Sequence, residues 1–487
     1  MTRILAGKLF DPYTGDLLQN RLITVSPESG LILDVQPFDD SVLETIADLA
    51  DPNAIVDLRD LTVLPGLVDV HVHCELDFVV HITFGLIHFD RTALVFLHPY
   101  SEVSWEDQVT RESIAERTVR ATVHARRTLM AGYTAVRDLG TEGAEDADLA
   151  LRKCISGPNP IAVGPRYFVA NRAIAATGSY GPKNKLYPNQ TGVQGIYGTE
   201  PADGEIECRK AVRRQVGAGA DWIKIALNDN LMTDYRFRVN ANDVAPQTAG
   251  DSIMTFSQGE VAAMVSEAHR LGVKIAAHAS NTSTWTELVT NHEQVDTIEH
   301  TYGLEEVFEG SPPCAPIKGN KTIWVPTLSV YYLLGQQSGV WDRAKKTFQA
   351  AVKAFPKDLH VACGGDTGVF PHGDNAQEMK LMVSLGADWR MVLRWGTLGG
   401  WECVRSLRWE GPKGTERLRR VGELREDARL VGDNEVPFGV VVKGFAADII
   451  ATNGNLEKDF AGAVDKKNIR FVMKGGKIYK RDGLEVV

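Results

Sequence analysis

The chain has 487 residues, a formal net charge of −10, 44% hydrophobic residues and 24% charged residues. This length exceeds that of one ordinary domain and allows a large barrel together with a smaller module. The composition is that of a globular protein, and the sequence lacks the lysine- and arginine-rich runs that form a nucleic-acid-binding surface.

Six cysteines are scattered singly along the chain, and none forms a C-x-x-C pair. Isolated thiols in a chain of this size are typical of a reducing, intracellular setting. Met1–Pro12 contains no signal-peptide hydrophobic block, and no stretch reaches the roughly 18 apolar residues of a membrane helix. We therefore expect a cytoplasmic protein that binds neither nucleic acid nor a membrane.

Both ends of the chain contain short strand-like runs separated by Gly, Pro, Asp and Ser. The candidate strands are Arg3–Lys8, Arg21–Val25, Gly30–Val35, Gly439–Val442, Ala447–Ala451, Ile469–Met473 and Lys477–Tyr479. We expect residues 1–63 and 437–487 to pair as one small β-sandwich.

Residues 64–436 alternate apolar, strand-sized runs with helical stretches. The candidate strands are Leu67–Val72, Thr134–Arg137, Tyr167–Ala170, Trp222–Leu227, Lys274–His278, Thr297–His300, Ile323–Thr327 and Val361–Gly364. The candidate helices include Arg111–Met130, Glu205–Val216, Gln258–Leu271, Thr284–Thr290 and Trp341–Ala354. Eight strands with intervening helices predict an α/β fold, a (β/α)₈ TIM barrel. The Arg- and Glu-rich stretch Arg405–Val431 is expected to be a solvated insertion or a helical hairpin.

Two histidines lie two positions apart in the first barrel strand, in the sequence Asp69-Val70-His71-Val72-His73. A strand repeats every two residues, so His71 and His73 share one face. Neighbouring imidazoles can form half of a metal site. The alternative is that one histidine is structural and the other incidental.

Lys224 lies between two isoleucines in a strand that we expect to be buried. Burial disfavours the ammonium form and would expose a neutral amine. Such an amine can add carbon dioxide to give a carbamate, whose two oxygens can bridge two cations. The alternative is a lysine at the strand end that extends to solvent.

Three further strands end in residues that metals favour. His278 and His300 each close an apolar strand, and Asp366 follows the last candidate strand. Each alone is more typical of a satisfied polar residue. Together with the other three positions, they lie at the carboxyl ends of strands one, four, five, six and eight, where barrel enzymes have their active sites. The sequence therefore predicts a metal site there.

This set resembles the amidohydrolase superfamily, in the subtype with two metals and a bridging carboxylated lysine. The residues that carry the resemblance are His71, His73, Lys224, His278, His300 and Asp366, with Pro65–Asp69 before them and Gly444–Ile450 near the C-terminus. The resemblance covers nearly the whole chain. Three stretches are most similar to the imidazolonepropionase-like and Xaa-Pro dipeptidase-like branch, near fungal ochratoxinase: Gly132–Leu139, Asp366–Gly368 and Pro371–Met379.

The resemblance implies two divalent cations, which we expect to be Zn²⁺. His71 and His73 would bind one with Asp366, His278 and His300 would bind the other, and carboxylated Lys224 would bridge them. A metal-bridging hydroxide would attack a substrate carbonyl, and Asp366 would pass its proton to the leaving group. Lys224 and Asp366 are therefore the expected catalytic residues. A small-molecule substrate and a homo-oligomer are also implied.

Four residues are candidates for substrate binding. Arg137 follows strand two and has a structural ion pair as its alternative, whereas His372 has a surface loop position as its alternative. Tyr180 lies in Ala176–Pro182, where relatives often carry Gly-His-Gly, and would replace their pocket histidine as a donor. Tyr302 has packing under the loop as its alternative. His81, His88 and His98 follow strand one, in a loop whose action as a lid is left open.

The resemblance favours hydrolysis of an amide or peptide-like C–N bond in a dipeptide, an N-acyl amino acid or an ochratoxin-like amide. An alternative at the same metals is lactone or cyclic-amide hydrolysis, deamination or decarboxylation. A scaffold without activity would be expected to lack some of the ligands, yet all six positions are filled.

Overall fold

The structure is a computed structural model that describes residues 1–39, 41, 55–74, 105–157, 159–180, 197–228, 254–280, 284, 288, 294–309, 321–336, 339–356 and 359–487. The candidate helix Thr284–Thr290 lies largely outside these residues. The three loop histidines His81, His88 and His98 lie wholly outside them.

The described strands follow the alternation expected from the sequence. They are β1 (Thr2–Phe10), β2 (Leu17–Val25), β3 (Ile32–Pro37), β4 (Ile55–Pro65), β5 (Leu67–Val72), β6 (Tyr133–Asp138), β7 (Arg166–Val169), β8 (Ile174–Ala175), β9 (Glu200–Pro201), β10 (Trp222–Asn228), β11 (Lys274–Ala279), β12 (Thr297–Glu299), β13 (Ile323–Val325), β14 (Ile449–Thr452), β15 (Ile469–Lys474), β16 (Lys477–Arg481) and β17 (Leu484–Glu485).

The described α-helices lie mainly between these strands. They are α1 (Trp105–Arg111), α2 (Ile114–Met130), α3 (Ala147–Ile155), α4 (Gly204–Ala218), α5 (Gln258–Arg270), α6 (Glu305–Glu309), α7 (Leu328–Leu334), α8 (Val340–Ala354), α9 (Gln377–Ser384), α10 (Trp389–Trp395), α11 (Leu398–Val404), α12 (Gly411–Gly422) and α13 (Phe460–Ala463). Local signals set some of their ends: Ser257 and Glu260 form a capping box at the start of α5. None of the described helices combines the length and apolarity needed to cross a membrane.

The two ends of the chain pair in one sheet, whereas the expected sandwich stays a prediction. Among the described residues its strand order is β17-β16-β15-β14-β4-β1-β2-β3. Strand β4 joins the two ends, because it pairs in parallel with β1 and antiparallel with β14. It extends from Ile55 to Pro65, across the boundary expected at residues 63 and 64.

The middle of the chain forms parallel sheets with helices between the strands, so the fold is mixed α/β. One sheet has the order β5-β6-β7, and another has the order β13-β12-β11-β10-β8-β9 within the described ranges. Isolated parallel bridges join Trp324 to Val361 and Val72 to Thr367. The segment from Val361 to Thr367 therefore contacts both β13 and β5.

Two expected strands are wrong. Val361–Gly364 does not form a regular strand: it makes the isolated bridge at Val361 and single backbone hydrogen bonds to Trp324 and Val70. Gly439–Val442 forms bends and turns instead of a strand, with Gly439 at φ 82°. The apolar run reflects burial in the core, because Val440 is 3% exposed and Val441 is 5% exposed. A short run of apolar residues is found both in buried strands and in buried irregular segments, so the run alone could not distinguish them.

The Arg- and Glu-rich stretch contains one helix and short 3₁₀ turns, and it is not a hairpin. Helix α12 carries exposed ion pairs such as that of Arg419 with Glu416. Trp409 and Val421, however, are each only 2% exposed. The stretch is therefore anchored in the core by its apolar residues.

Candidate active site

Strand β5 contains His71, the first site histidine, and His73, the second, follows its last residue directly. All six of its residues are buried, which is typical of a parallel strand covered on both faces. Val68 packs against Gly400 of α11, so closely that a β-carbon on Gly400 would lie 2.5 Å from the Val68 Cβ. Asp69, His71 and His73 alternate with the valines of this segment and lie on the face opposite Val68.

Asp366 lies next to both histidines. Its Oδ1 is 3.3 Å from Nε2 of His73 and 3.6 Å from Nε2 of His71. One donor atom each from His71, His300 and Asp366 lie within 4.8 Å of one another. The rings of His278 and His300 are also in contact, with centroids 4.3 Å apart. The sequence-predicted ligands from four separate segments are thus brought together.

Lys224 belongs to the same group. It is 5% exposed and interacts electrostatically with Asp366, His71 and His278. Burial lowers the pKa of Lys224, and the charge of Arg137 acts in the same direction. Measured distances bring five of the predicted ligands together, and Lys224 is buried within electrostatic reach of them; metal binding by the six stays a prediction.

Three of the site histidines are held through Nδ1. This atom is 2.8 Å from Glu299 Oε2 in His71, 2.8 Å from the Gly140 carbonyl oxygen in His73, and 2.8 Å from Thr327 Oγ1 in His300. A carboxylate or carbonyl oxygen can only accept, so Nδ1 of His71 and of His73 is the donor. The Nε2 atoms of His71 and His73 are then the ones that face Asp366.

Burial, together with neighbouring positive charges, keeps most of these imidazoles neutral. Burial, with the charge of Lys224, lowers the pKa of His71 to about 4 and that of His278 to about 3. Burial and the neighbouring histidines also hold the pKa of His300 well below its ordinary value. Burial would likewise lower the pKa of His73, but the hydrogen bond and charge of Asp366 raise it to about 9. A cation bound between His73 and Asp366 would displace that proton.

The donors fit divalent metal ions. Imidazole nitrogens and carboxylate oxygens suit zinc and several other divalent ions. Nε2 of His71 is buried and has no hydrogen-bond partner among the described residues. A buried nitrogen acceptor of this kind normally has a partner in a folded protein, and a metal ion would supply one.

The backbone at the site is strained. His300, Thr301 and Asp366 have φ values of 74°, 85° and 62°, in the left-handed region that non-glycine residues rarely adopt. Such conformations are concentrated at active sites, where the surrounding structure holds them.

Asp69 ties strand β5 to the loop that carries Asp366. Its Oδ1 accepts backbone N–H groups of His71 and Gly365, and its Oδ2 accepts from Thr367 Oγ1 and Asn375 Nδ2. Burial raises the pKa of Asp69 to about 6. Neither Asp69 nor Asn375 was singled out from the sequence, although Asp69 stands in the same strand as the two histidines.

Two of the predicted substrate contacts lie inside the protein. Arg137 is fully buried and forms the ion pair that was its alternative interpretation, with Nη2 2.8 Å from Glu299 Oε1. A guanidinium without exposed surface cannot reach a substrate in this arrangement, so we correct that assignment. His372 is 2% exposed, stacks on His124 and has Nε2 3.2 Å from the His73 carbonyl oxygen.

The two tyrosines differ in their surroundings. Tyr180 donates its hydroxyl to Glu142 Oε2 at 2.9 Å, and the charge of Glu142 acts on both His73 and Lys224. Tyr302 is 9% exposed and packs edge-on against Tyr331, with the Arg343 guanidinium 4.7 Å from its ring centroid. Of the two tyrosines, Tyr180 is therefore the one that interacts with the metal-ligand group.

Sequence reasoning missed Glu299, Thr327 and Glu142. The signal for Glu299 was present, because a glutamate directly before His300 in an apolar strand needs a partner when buried. Thr327 and Glu142 gave no comparable signal, since their roles depend on contacts with distant segments.

Comparisons with known proteins point to one family of enzymes. The sequence profile of the amidohydrolase family matches residues 62–406. Ochratoxinase from Aspergillus niger is 26% identical over 99% of this chain and 88% of that protein. A crystal structure of a Xaa-Pro dipeptidase with methionine bound in its active site has a TM-score of 0.69 and 25% identity, over 98% of this chain and 99% of its own. That of A. niger ochratoxinase has a TM-score of 0.70 and 21% identity, over 99% and 96%.

Fold and sequence together define a hydrolytic enzyme with a TIM-barrel-like fold. The chain belongs to the amidohydrolase family, whose profile spans more than half of it. The resemblance expected from the sequence is thereby confirmed.

Proposed function

We propose that this enzyme uses two divalent metal ions, Zn²⁺ by preference, to hydrolyse an amide or peptide-like C–N bond of a small molecule. The observation that carries the proposal is the meeting of donor atoms from His71, His300 and Asp366 within 4.8 Å. The family to which the chain belongs and the names of its relatives support the same reaction class.

In this proposal His71, His73 and Asp366 would hold one ion, and His278 and His300 would hold the other. Lys224, as a carbamate, would supply oxygen ligands to the pair. The lowered pKa of Lys224, caused first by burial, supports this role, because it favours the neutral amine that adds carbon dioxide.

When bound, the two ions would activate a water molecule and polarise the carbonyl of the substrate. Asp366 would accept the proton of the attacking water and return it to the leaving nitrogen. His71, His73 and Lys224 hold the pKa of Asp366 well below its ordinary value although burial opposes them. The carboxylate is therefore ionised, which is the form that binds a cation.

Substrate selection is assigned to the side of the site where Tyr180 meets Glu142. Tyr180 has a single hydroxyl proton, which Glu142 accepts in this structure, and on substrate binding it would donate that proton to a polar group of the substrate instead. Suitable substrates are dipeptides, N-acyl amino acids and ochratoxin-like amides. The reaction class suggests the N-acyl amino acids, and the name of the fungal relative suggests the ochratoxin-like amides. His372 and Tyr302 would act from behind the pocket through the contacts described above.

Elemental analysis of the purified protein, followed by a screen of these amides, tests the proposal. We expect about two divalent metal ions per chain, as in binuclear hydrolases. Lys224→Ala is expected to lose both bound metal and turnover. Lys274→Ala is the matched control, because Lys274 is also 5% exposed but donates to the carbonyl groups of Glu402 and Cys403.

A wild-type protein that holds no metal and hydrolyses none of the amides would contradict the proposal. Lactones, cyclic amides and substrates for deamination or decarboxylation belong in the same screen. Turnover of one of these without amide hydrolysis would favour the alternative reaction at the same ions.

We also propose that the parallel strands close into an eight-stranded (β/α)₈ barrel and that the chain ends form a sandwich. The bridges from Val361 to Trp324 and from Thr367 to Val72 support closure, because they place the last segment between β13 and β5. Cytoplasmic location and homo-oligomeric assembly stay predictions.

A further inference from the structure

Glu299 makes an unusual set of contacts for a residue that is fully buried. Its Oε2 lies 2.8 Å from Nδ1 of His71, and its Oε1 lies 2.8 Å from Nη2 of Arg137. The hydroxyl of Thr297 also donates to Oε1. Each carboxylate oxygen is therefore engaged by a different part of the protein.

Arg137 connects this carboxylate to the surrounding strands. Its Nε donates to the Val70 carbonyl oxygen at 2.6 Å, and Nη1 donates to Thr297 Oγ1 at 3.1 Å. Its guanidinium lies 4.3 Å from the ring centroid of Trp222. Arg137 of β6 thus contacts β5, β10 and β12, and it fixes the backbone residue immediately before His71.

The support of His71 differs in charge from that of its neighbours. Nδ1 of His73 is held by a backbone carbonyl and Nδ1 of His300 by a threonine hydroxyl, whereas Nδ1 of His71 is held by a carboxylate. Carboxylates that accept from a ligand histidine fix the orientation of its ring and increase its basicity as a ligand.

We propose that Glu299 is the positioning residue that turns Nε2 of His71 toward the metal ions, and that Arg137 holds Glu299 in place. The pair does not touch the substrate, and its only hydrogen bond to a predicted metal ligand among the described residues is the one to His71. This inference rests on the proposed function, because it concerns the affinity of the site for metal.

The geometry makes Glu299→Gln an informative change. The carboxylate offers one acceptor oxygen to His71 and another to Arg137. An amide has the same shape but only one acceptor oxygen, so it cannot serve both donors. We expect the variant to bind zinc about 10–100-fold more weakly than the wild type.

Zinc affinity, measured by competition with a chelator of known affinity, is the primary readout. The second readout is turnover at increasing free zinc, which is expected to recover toward the wild-type kcat because no substrate contact is removed. The matched control is Asp448→Asn. Asp448 also forms a buried ion pair, with Arg166 at 2.7 Å, but it directly precedes β14 of the sheet formed by the chain ends. That control is expected to lower stability and leave zinc affinity unchanged.

The outcomes separate the two proposals. A wild-type protein without zinc affinity would contradict the proposed function itself. Wild-type zinc affinity in folded Glu299→Gln would overturn the positioning role while leaving the proposed function intact. An equal loss of affinity in Asp448→Asn would also overturn it, because the loss would then follow from reduced stability.

Removal of one partner of a buried ion pair can prevent folding. Thr297→Val covers that case, since it removes only the hydroxyl that donates to Glu299 and accepts from Arg137. We expect a several-fold loss of zinc affinity in this variant. Unchanged affinity in folded Thr297→Val, where Glu299→Gln does not fold, would overturn the inference.

Discussion

Gly364 lies directly against His71: a β-carbon on Gly364 would be 2.7 Å from the His71 Cβ and 2.9 Å from its backbone nitrogen. The last parallel segment can therefore approach β5 at this point only because residue 364 has no side chain. The close approach also sets the position of a predicted metal ligand.

Gly364→Ala is expected to destabilise the protein by about 1–3 kcal/mol, because neither the β5 backbone nor Val325 can move away easily. It should also weaken metal retention, because His71 must shift. Thermal unfolding and metal content measure the two effects. Gly217→Ala is the opposite control: it lies in helix α4 with nothing within 4 Å of the new methyl group, so it should stabilise by about 0.5–1 kcal/mol. Equal changes in unfolding temperature and metal content in the two variants would contradict the close packing assigned to Gly364.

Thr327→Val is expected to lower metal affinity about 10-fold, since His300 loses the group that holds its Nδ1. Valine keeps the branched side chain, so the strain at φ 47° is unchanged. Chelator competition measures the loss, and Thr327→Ser should restore affinity. Thr347→Val serves as the control, because its buried hydroxyl accepts the N–H groups of Gly303 and Leu304. It should cost about 1–3 kcal/mol of stability without altering metal affinity.

Tyr180→Phe is expected to raise KM by roughly 2–10-fold with little change in kcat, the range for one hydrogen bond of about 0.5–1.5 kcal/mol. The reason is that the hydroxyl which contacts Glu142 is assigned to substrate orientation. Steady-state kinetics on the best amide substrate provide the measurement, with the exposed Tyr197→Phe as control. An unchanged KM would remove Tyr180 from the substrate-binding residues.

The ionisation of Glu267 should make the stability of the folded protein depend on pH. Hydrogen bonds from Arg270 and then Arg213 lower the pKa of Glu267 from 4.5 to about 2. A lowered pKa in the folded state means that the stabilisation is complete above the ordinary value and is lost as the pH falls from about 4.5 through about 2. Glu267→Gln should therefore be less stable than the wild type at pH 7 by about 1.5–3 kcal/mol.

Urea unfolding of the wild type and of Glu267→Gln at several pH values checks this expectation. The difference between them should narrow once the pH falls below about 4.5. Glu416→Gln, on an exposed pair with Arg419, should differ little from the wild type at any pH. A gap for Glu267→Gln that stays constant down to acid pH would contradict the assigned ion pairs.

The sequence by itself predicted the parallel strands, and it placed His71 and His73 on one face of β5. It could do so because strand periodicity and apolar runs are local properties. The resemblance to the amidohydrolase superfamily added Lys224, His278, His300 and Asp366 as partners, and the structure brings all six together. Where a local pattern had two physical causes, as in Gly439–Val442, the prediction was wrong.

Only the tertiary structure decided which residues support those six. Glu299 and His71 are 228 positions apart, and no local pattern shows that one holds the other. The same holds for Thr327 with His300 and for Tyr180 with Glu142. Hydrogen bonds act over about 3 Å, so such pairs exist only after distant strands have been brought to the same edge. The sequence therefore determined the chemistry offered at each strand end, whereas the packing of the strands determined which groups act on one another.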